Sequence, residues 1–173
     1  MKFKHIRNII TNGLSNYLKA PVVLASQVEP EQDYPFIIYS VTAPYIPENT
    51  LGEYRQGGDG EEIRREQPTC TWSFTACSAN RRTQSGFILG EDEAMELANQ
   101  ALGWFLHAGY EYTSGNGITI VYAGNVQERT VLEVDEAVRR YGFDVTIRYV
   151  REDNRIIATI RNAATIEQKG DTQ

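Results

Sequence analysis

The sequence contains few of the residues that most often catalyse reactions or bind metals. Among 173 residues it has two histidines, His5 and His107, and two cysteines, Cys70 and Cys77. Neither histidine has a second ligand or a base at a spacing that would form a site. Two cysteines are too few for a disulfide scaffold. These absences disfavour a metal site and a thiol enzyme, and we expect no cofactor and no bound metal.

The sequence also lacks an excess of basic residues and long apolar runs. Its 17 Lys and Arg residues stand against 23 Asp and Glu, a formal net charge of −6, whereas a domain that grips nucleic acid is usually basic. No stretch approaches the roughly 20 apolar residues of a membrane span, and no signal-peptide run follows the basic N-terminus. We therefore expect a soluble intracellular protein without membrane contact.

Both cysteines lie in residues 69–78, where apolar and polar side chains alternate. Alternation predicts a strand with one apolar face, which includes Cys70, Trp72 and Phe74, and one face rich in hydroxyl groups. Seven residues of strand span about 23 Å, and the odd separation places the two thiols on opposite faces. That geometry excludes a disulfide or a shared metal ion. We expect Cys70 to be buried and Cys77 to be half-exposed near the strand end.

Other periodic segments predict the rest of the fold. Apolar residues at helical spacing predict one helix over about residues 3–18 and a second that begins near Glu91 and closes at Gly109. Because helices do not alternate with every strand, we expect an α+β fold, a mostly antiparallel sheet packed against two main helices. Period-two patterns predict strands over 34–42, 118–122 and 143–150, and a turn at 152–154 into a strand over 155–160.

Residues 43–66 break this pattern with two prolines, four glycines and nine charged residues. A connection of this length inside a compact domain is usually functional or disordered. We predict a long mobile loop between the second and third strand segments of a single domain, residues 1–162, followed by a disordered tail, 163–173. Partner contacts often lie on loops. The predicted contact residues are Tyr54, Arg55, Asp59, Glu61, Glu62, Arg64 and Arg65.

The carboxylates Glu133, Asp135 and Glu136 raise one enzymatic alternative, a metal-dependent nuclease. A metal site needs oxygen ligands that converge from separate elements, and nothing in the sequence shows such convergence. Arg139 and Arg140 stand close by to pair with the acids. We therefore favour a non-enzymatic interaction or assembly protein and keep the nuclease as the less favoured reading.

Three stretches resemble the neck or tail-terminator (tail-completion) proteins of tailed bacteriophages and prophages. The shared features are an N-terminal helix, a Tyr-Pro-Phe strand entry, a helix ending in an aromatic pair, and an Arg-x-x-Phe-Asp-Val strand. They follow one another in this order over roughly residues 3–150. The stretches are "FKHIRNIITNGLSNYLKAPVVLASQVEPEQDYPFIIYSV", "DEAMELANQALGWF" and "RRYGFDVTIRYVRE".

The resemblance implies a structural virion protein that catalyses no reaction. Such proteins form a ring, typically a hexamer, that terminates the tail tube and joins it to the head connector or stopper protein. DNA passes through the lumen without sequence-specific binding. The implied location is the virion neck, after assembly in the bacterial host cytoplasm. A tail-tube or head–tail connector protein is the open alternative, and the predicted loop would project toward the lumen or a neighbouring ring.

Overall fold

The computed structural model describes residues 1–26, 32–48, 50–58, 60–84, 86–131 and 138–157. The helical elements are α1 (Phe3–Leu18), α2 (Gly90–Gly103), a π-helical turn (Trp104–Ala108) and α3 (Tyr110–Gly115). The strands are β1 (Val22–Leu24), β2 (Phe36–Ile46), β3 (Glu53–Gln56), β4 (Glu61–Glu66), β5 (Thr69–Ala79), β6 (Arg81–Thr83), β7 (Gly86–Ile88), β8 (Ile118–Ala123), β9 (Gln127–Glu128), β10 (Val138–Tyr149) and β11 (Arg151–Ile156).

Helix α1 forms where the apolar spacing predicts it. Ile6, Ile10 and Leu14 lie on one stripe and are fully buried, because residues three or four apart share a helix face. The helix ends at Lys19, which adopts a left-handed conformation (φ 56°) and donates its backbone N–H to the Ser15 carbonyl at 2.9 Å. This ending turns the chain away from the helix axis and toward β1.

The main sheet has the strand order β1-β2-β5-β10-β8, with β9 paired to β10. Strands β1 and β2 are parallel, and the other neighbours are antiparallel. The α+β class with a mostly antiparallel sheet is therefore confirmed. Strands β5 and β10 form the centre and pair continuously from Ala79–Val138 to Thr69–Arg148.

The core lies between the helices and one face of this sheet. Trp72 and Phe74 from β5 and Phe143 from β10 are at most 1% exposed, and the Phe74 ring lies 4.9 Å from that of Phe105. Full burial of a large apolar side chain contributes roughly 1.5–3 kcal/mol. The predicted apolar face of residues 69–78 is thus the central strip of the core.

Cys77 differs from its prediction. Both cysteines are free, as expected, but Cys77 is only 2% exposed. It lies on the hydroxyl-rich face of β5, where Phe36 of β2 and Arg140 of β10 stand directly opposite it on the two neighbouring strands. Burial raises the pKa of the Cys77 thiol to about 11, so the residue packs as a small neutral side chain.

The second helical region does not close at Gly109 as predicted. Helix α2 ends at Gly103, the π-helical turn follows, and α3 continues the chain to Gly115. A Cβ atom on Gly109 would come within 2.4 Å of the Trp104 ring. Gly109 therefore permits the Trp104 indole to lie against the backbone. The sequence interpretation took this glycine only as the end of a helix and missed the packing role.

The prediction of an unstructured segment over residues 43–66 is wrong for most of its length. Strand β2 extends to Ile46, and β3 and β4 form a hairpin within a second, three-stranded sheet of order β11-β4-β3. The predicted turn at 152–154 is also wrong, because these residues lie inside β11, which pairs with β4 rather than folding back on β10. Both errors have one cause, since these strands are rich in charged residues and lack the apolar alternation by which a strand is recognised in sequence.

Candidate assembly surface

Strands β3, β4 and β11 form a sheet that we call the arm. Strand β10 passes into β11 through Val150, and β4 passes into β5 through Gln67 and Pro68, so the central pair of the main sheet continues as the arm. The Tyr149 N–H donates to the Pro68 carbonyl at 3.2 Å at this junction. Every residue of β3 and all but the first of β11 are exposed, and no described helix packs extensively on the arm.

One face of the arm carries charges of alternating sign. Arg155 Nε lies 2.5 Å from Glu62 Oε2, and Arg64 Nη1 lies 3.6 Å from Asp153 Oδ2. Exposed ion pairs contribute little stability one by one. Like charges directly opposite one another would be unfavourable, so the alternation selects this register over a shifted one. The facing pairs are Arg151 with Glu66, Asp153 with Arg64, and Arg155 with Glu62.

The charges of the arm nearly cancel. On the opposite face, Glu152 accepts a hydrogen bond from Arg55 at 2.9 Å and lies 4.0 Å from Arg65. The three strands together hold six carboxylates and five arginines. The acidic surplus of the whole chain therefore does not reside on the arm, which offers a partner a surface of almost no net charge.

The carboxylate of Glu66 holds the junction between the arm and the main sheet. Glu66 is 2% exposed, and the Tyr45 hydroxyl donates to both of its oxygens at 3.0 Å. Arg64 Nη2 donates to it at 2.6 Å, and Arg151, whose guanidinium lies 5.1 Å from the Tyr45 ring centre, is 3.7 Å away. A buried carboxylate needs such partners, so they restrain the arm relative to the sheet.

The structure brings most of the predicted contact residues together. Tyr54 and Arg55 lie on β3, and the four charged residues from Glu61 to Arg65 lie beside them on β4. Asp59 lies outside the described residues. Sequence reasoning missed β11 as the third strand of this surface and Glu66 as its buried acid, because only the paired arrangement shows that the charges of β11 face those of β4.

The hydroxyl-rich face of β5 is occupied by a side chain from the segment before β10. Arg129 Nη1 donates to Ser73 Oγ at 2.6 Å and to Thr75 Oγ1 at 3.1 Å, and Nη2 donates to Asp144 Oδ1 at 3.0 Å. Burial opposes ionisation of Asp144, but the hydrogen bonds from Ser73 and Arg129 outweigh it and lower its pKa. These hydroxyls therefore serve the chain's own packing.

The described residues contain no group of three or more His, Cys, Asp or Glu side chains that could hold a metal ion. The nuclease candidates Glu133, Asp135 and Glu136, like the tail 163–173, lie outside the described residues. No helix in the described ranges is both long and apolar enough to cross a membrane.

Comparison with models of protein families shows a family that this chain matches. The model of the family described as phage neck terminator protein matches residues 8–172. This range takes in about two thirds of α1 and all of the main sheet and the arm. No curated protein shows a significant match to the sequence.

Proposed function

The chain belongs to the phage neck terminator protein family, and from this membership we propose that it forms a hexameric ring that ends the tail tube. Proteins of this family are structural rather than enzymatic components of the phage neck. In our proposal the ring joins the tube to the head connector or stopper protein, and DNA passes through its lumen. The observation that carries the proposal is the family match over residues 8–172.

The arm supports an assembly role. A ring of identical subunits needs two different surfaces on each subunit that fit one another. The arm extends past the main sheet with exposed strands and almost no net charge, so it could approach another subunit without strong repulsion. We propose that one set of arm residues contacts a neighbouring subunit or faces the lumen. The set is Tyr54, Arg55, Glu61, Glu62, Arg64 and Arg65, and it includes Asp59 on sequence grounds.

The charge of the chain supports passage of DNA without capture. The net charge is −6, and proteins that hold DNA do so with lysines and arginines that neutralise phosphates. The arginines of the arm pair with carboxylates of the arm itself. The arm therefore offers few free cations to the DNA backbone. In our proposal the ring assembles in the host cytoplasm before it becomes part of the virion.

Mass and position test this proposal. Native mass spectrometry of the purified 19.6 kDa chain, alone and with isolated tails, should show a six-subunit species. Electron microscopy should place added density at one end of the tail. A chain that stays monomeric in both settings, or that lies along the tube, would contradict the proposal.

Nuclease activity is the enzymatic alternative, and it is tested directly. We expect no cleavage when the purified protein is incubated with linear DNA and either Mg²⁺ or Mn²⁺. Metal-dependent cleavage that disappears in the Glu133→Ala or Asp135→Ala variant would replace the structural proposal with an enzymatic one.

A further inference from the structure

An apolar groove lies between the π-helical turn, helix α3 and strand β8. It has a volume of about 260 Å³. Strand β8 is the last strand of the main sheet, and within the described part of the chain nothing pairs with its outer edge. Exposed apolar surface beside an open strand edge is characteristic of a partner site. The exposed lining side chains are Leu106 (63%), Tyr110 (69%), Val121 (46%) and Tyr122 (61%).

The far end of the arm also exposes apolar side chains. Ile156, the last residue of β11, is 88% exposed, and Ile157 is 39% exposed. The Ile157 N–H donates to the Gly60 carbonyl at 2.8 Å, which holds this end of β11 beside the β3–β4 hairpin. The two isoleucines are thus presented on a supported strand end rather than on a free tail.

The arm of one chain cannot reach the groove of the same chain. Ile118, at one end of the groove, faces Tyr149 on β10, and β11 starts two residues later. From this point the groove follows β8 toward Ala123, which faces Val145, whereas β11 runs the opposite way. Ile156 lies about 17 Å beyond the start of β11 at 3.3 Å per residue. The arm end can therefore enter this kind of groove only on a second copy.

We propose that the arm of one copy lies along the groove of the next, with Ile156 and Ile157 seated between Leu106, Tyr110 and Val121. The contact joins two different surfaces of identical chains, which is the heterologous arrangement that closes rings. It rests on the proposed function and names the surfaces that the ring uses. A specific interface takes about 20–30 residues from each partner, so the strands of the arm, and not the isoleucines alone, face the neighbour.

A second exposed apolar group supplies the matched control. Phe87 on β7 is 64% exposed, comparable to Leu106, but it belongs to the separate β6–β7 hairpin and contributes nothing to the groove. Substitutions there change exposed apolar area without touching either proposed surface.

Cysteine cross-linking tests the contact, because the native Cys70 and Cys77 are buried and will not interfere. Ile156→Cys and Val121→Cys variants are prepared separately, mixed and mildly oxidised, alone and with isolated tails. We expect a disulfide-linked dimer from the mixture, and a ladder up to the full ring from the double variant. Ile156→Cys mixed with Phe87→Cys should not cross-link, and a cross-link there in place of the first would overturn the assignment.

Mass measurements separate this inference from the proposed function. Ile156→Asp and Val121→Asp should each raise the concentration for half-assembly at least about tenfold, while Phe87→Asp should change it within about twofold. If the ring forms, but neither variant weakens it and no cross-link appears, the contact is wrong and the proposed function stands. If the wild-type chain is monomeric alone and on tails, the proposed function fails together with this contact.

Discussion

At the scale of single residues, two details of the structure depend on close approaches that are invisible in the sequence. The hydroxyl group of Tyr45 reaches both oxygens of the buried Glu66, and Gly109 lets Trp104 pack directly on the backbone. In each case the stability of the fold depends on a single atom. Loss of a hydrogen-bond donor to a buried carboxylate is destabilising, and so is a methyl group added where a ring packs on the backbone.

The Tyr45→Phe substitution tests the junction network. It removes one hydrogen-bond donor from a buried carboxylate, so we expect the free energy of unfolding to fall by about 1–2 kcal/mol in urea denaturation. Tyr54→Phe is the control, because Tyr54 is 52% exposed and its hydroxyl makes no hydrogen bond to the described residues. That variant should stay within about 0.5 kcal/mol of the wild type. Equal effects of the two substitutions would show that Glu66 does not depend on Tyr45.

Gly109→Ala tests the packing of the π-helical turn. The added Cβ would lie 2.4 Å from the Trp104 ring, so we expect a loss of about 1–3 kcal/mol in unfolding free energy and altered Trp fluorescence. Gly103→Ala is the matched control, since nothing lies within 4 Å of its added Cβ and alanine favours helix by up to about 1 kcal/mol. A neutral Gly109→Ala variant would mean that Trp104 can move away at no cost.

At the scale of elements, one ion pair joins the start of β6, two residues after the end of β5, to the first turn of α2. Arg81 donates to both oxygens of Glu93, at 2.6 and 2.8 Å, and the buried Ser78 hydroxyl also donates to Glu93. Gly90 allows the helix start to come close, because a Cβ there would lie 2.6 Å from the Ala79 carbonyl carbon. The predicted helix start near Glu91 was correct, but this attachment to β5 required the folded arrangement.

This attachment predicts a dependence of stability on pH. The hydrogen bonds from Arg81 lower the pKa of Glu93 below its ordinary 4.5, against the opposing effect of burial. A carboxyl with a lower pKa in the folded chain stabilises the fold while it is ionised, and the contribution disappears as the pH falls through the folded pKa. The wild type should therefore exceed Glu93→Gln in stability at pH 6, and the difference should shrink below pH 4.5.

Chemical denaturation at several pH values between 3 and 7 measures this difference. Asp92→Asn is the control, because Asp92 lies in the same first turn but makes no hydrogen bond or ion pair with the described residues. The difference in unfolding free energy between Asp92→Asn and the wild type should change less with pH. If the stability difference between the wild type and Glu93→Gln is the same at every pH from 3 to 7, the ion pair is not the source of that difference.

At the scale of the whole molecule, the β3–β4 part of the arm contributes no residue to the buried apolar core. The buried cluster of apolar residues comes from the helices and the main sheet, and none of its members lies between residues 52 and 64. Deletion of residues 52–64 should therefore leave a folded chain with a native-like circular dichroism spectrum. It should impair the joining of tails to heads, because β3 and most of β4 are removed.

The comparison variant for this deletion keeps the arm and reverses one charge pair, through Arg155→Glu together with Glu62→Arg. It should fold and assemble like the wild type, since opposite charges still face each other at this position of β4 and β11. Loss of the native circular dichroism spectrum on deletion would show that the arm contributes to the core, contrary to the separation seen in the structure.

Local patterns were sufficient for much of this molecule. The apolar stripe of α1, the alternation in β5 and the strand at 143–150 each bury one face, and burial of one face imposes a period that is visible in sequence. The strand at 118–122 was also predicted correctly, although only Ile118 in it is buried. The family resemblance lay in the same packing patterns, and the family match confirms it. The arm, the burial of Cys77 and the role of Gly109 were decided only by tertiary contacts. Strand β4 is mostly charged, and such a segment is indistinguishable from a solvated loop until β11, far along the chain, places opposite charges beside it.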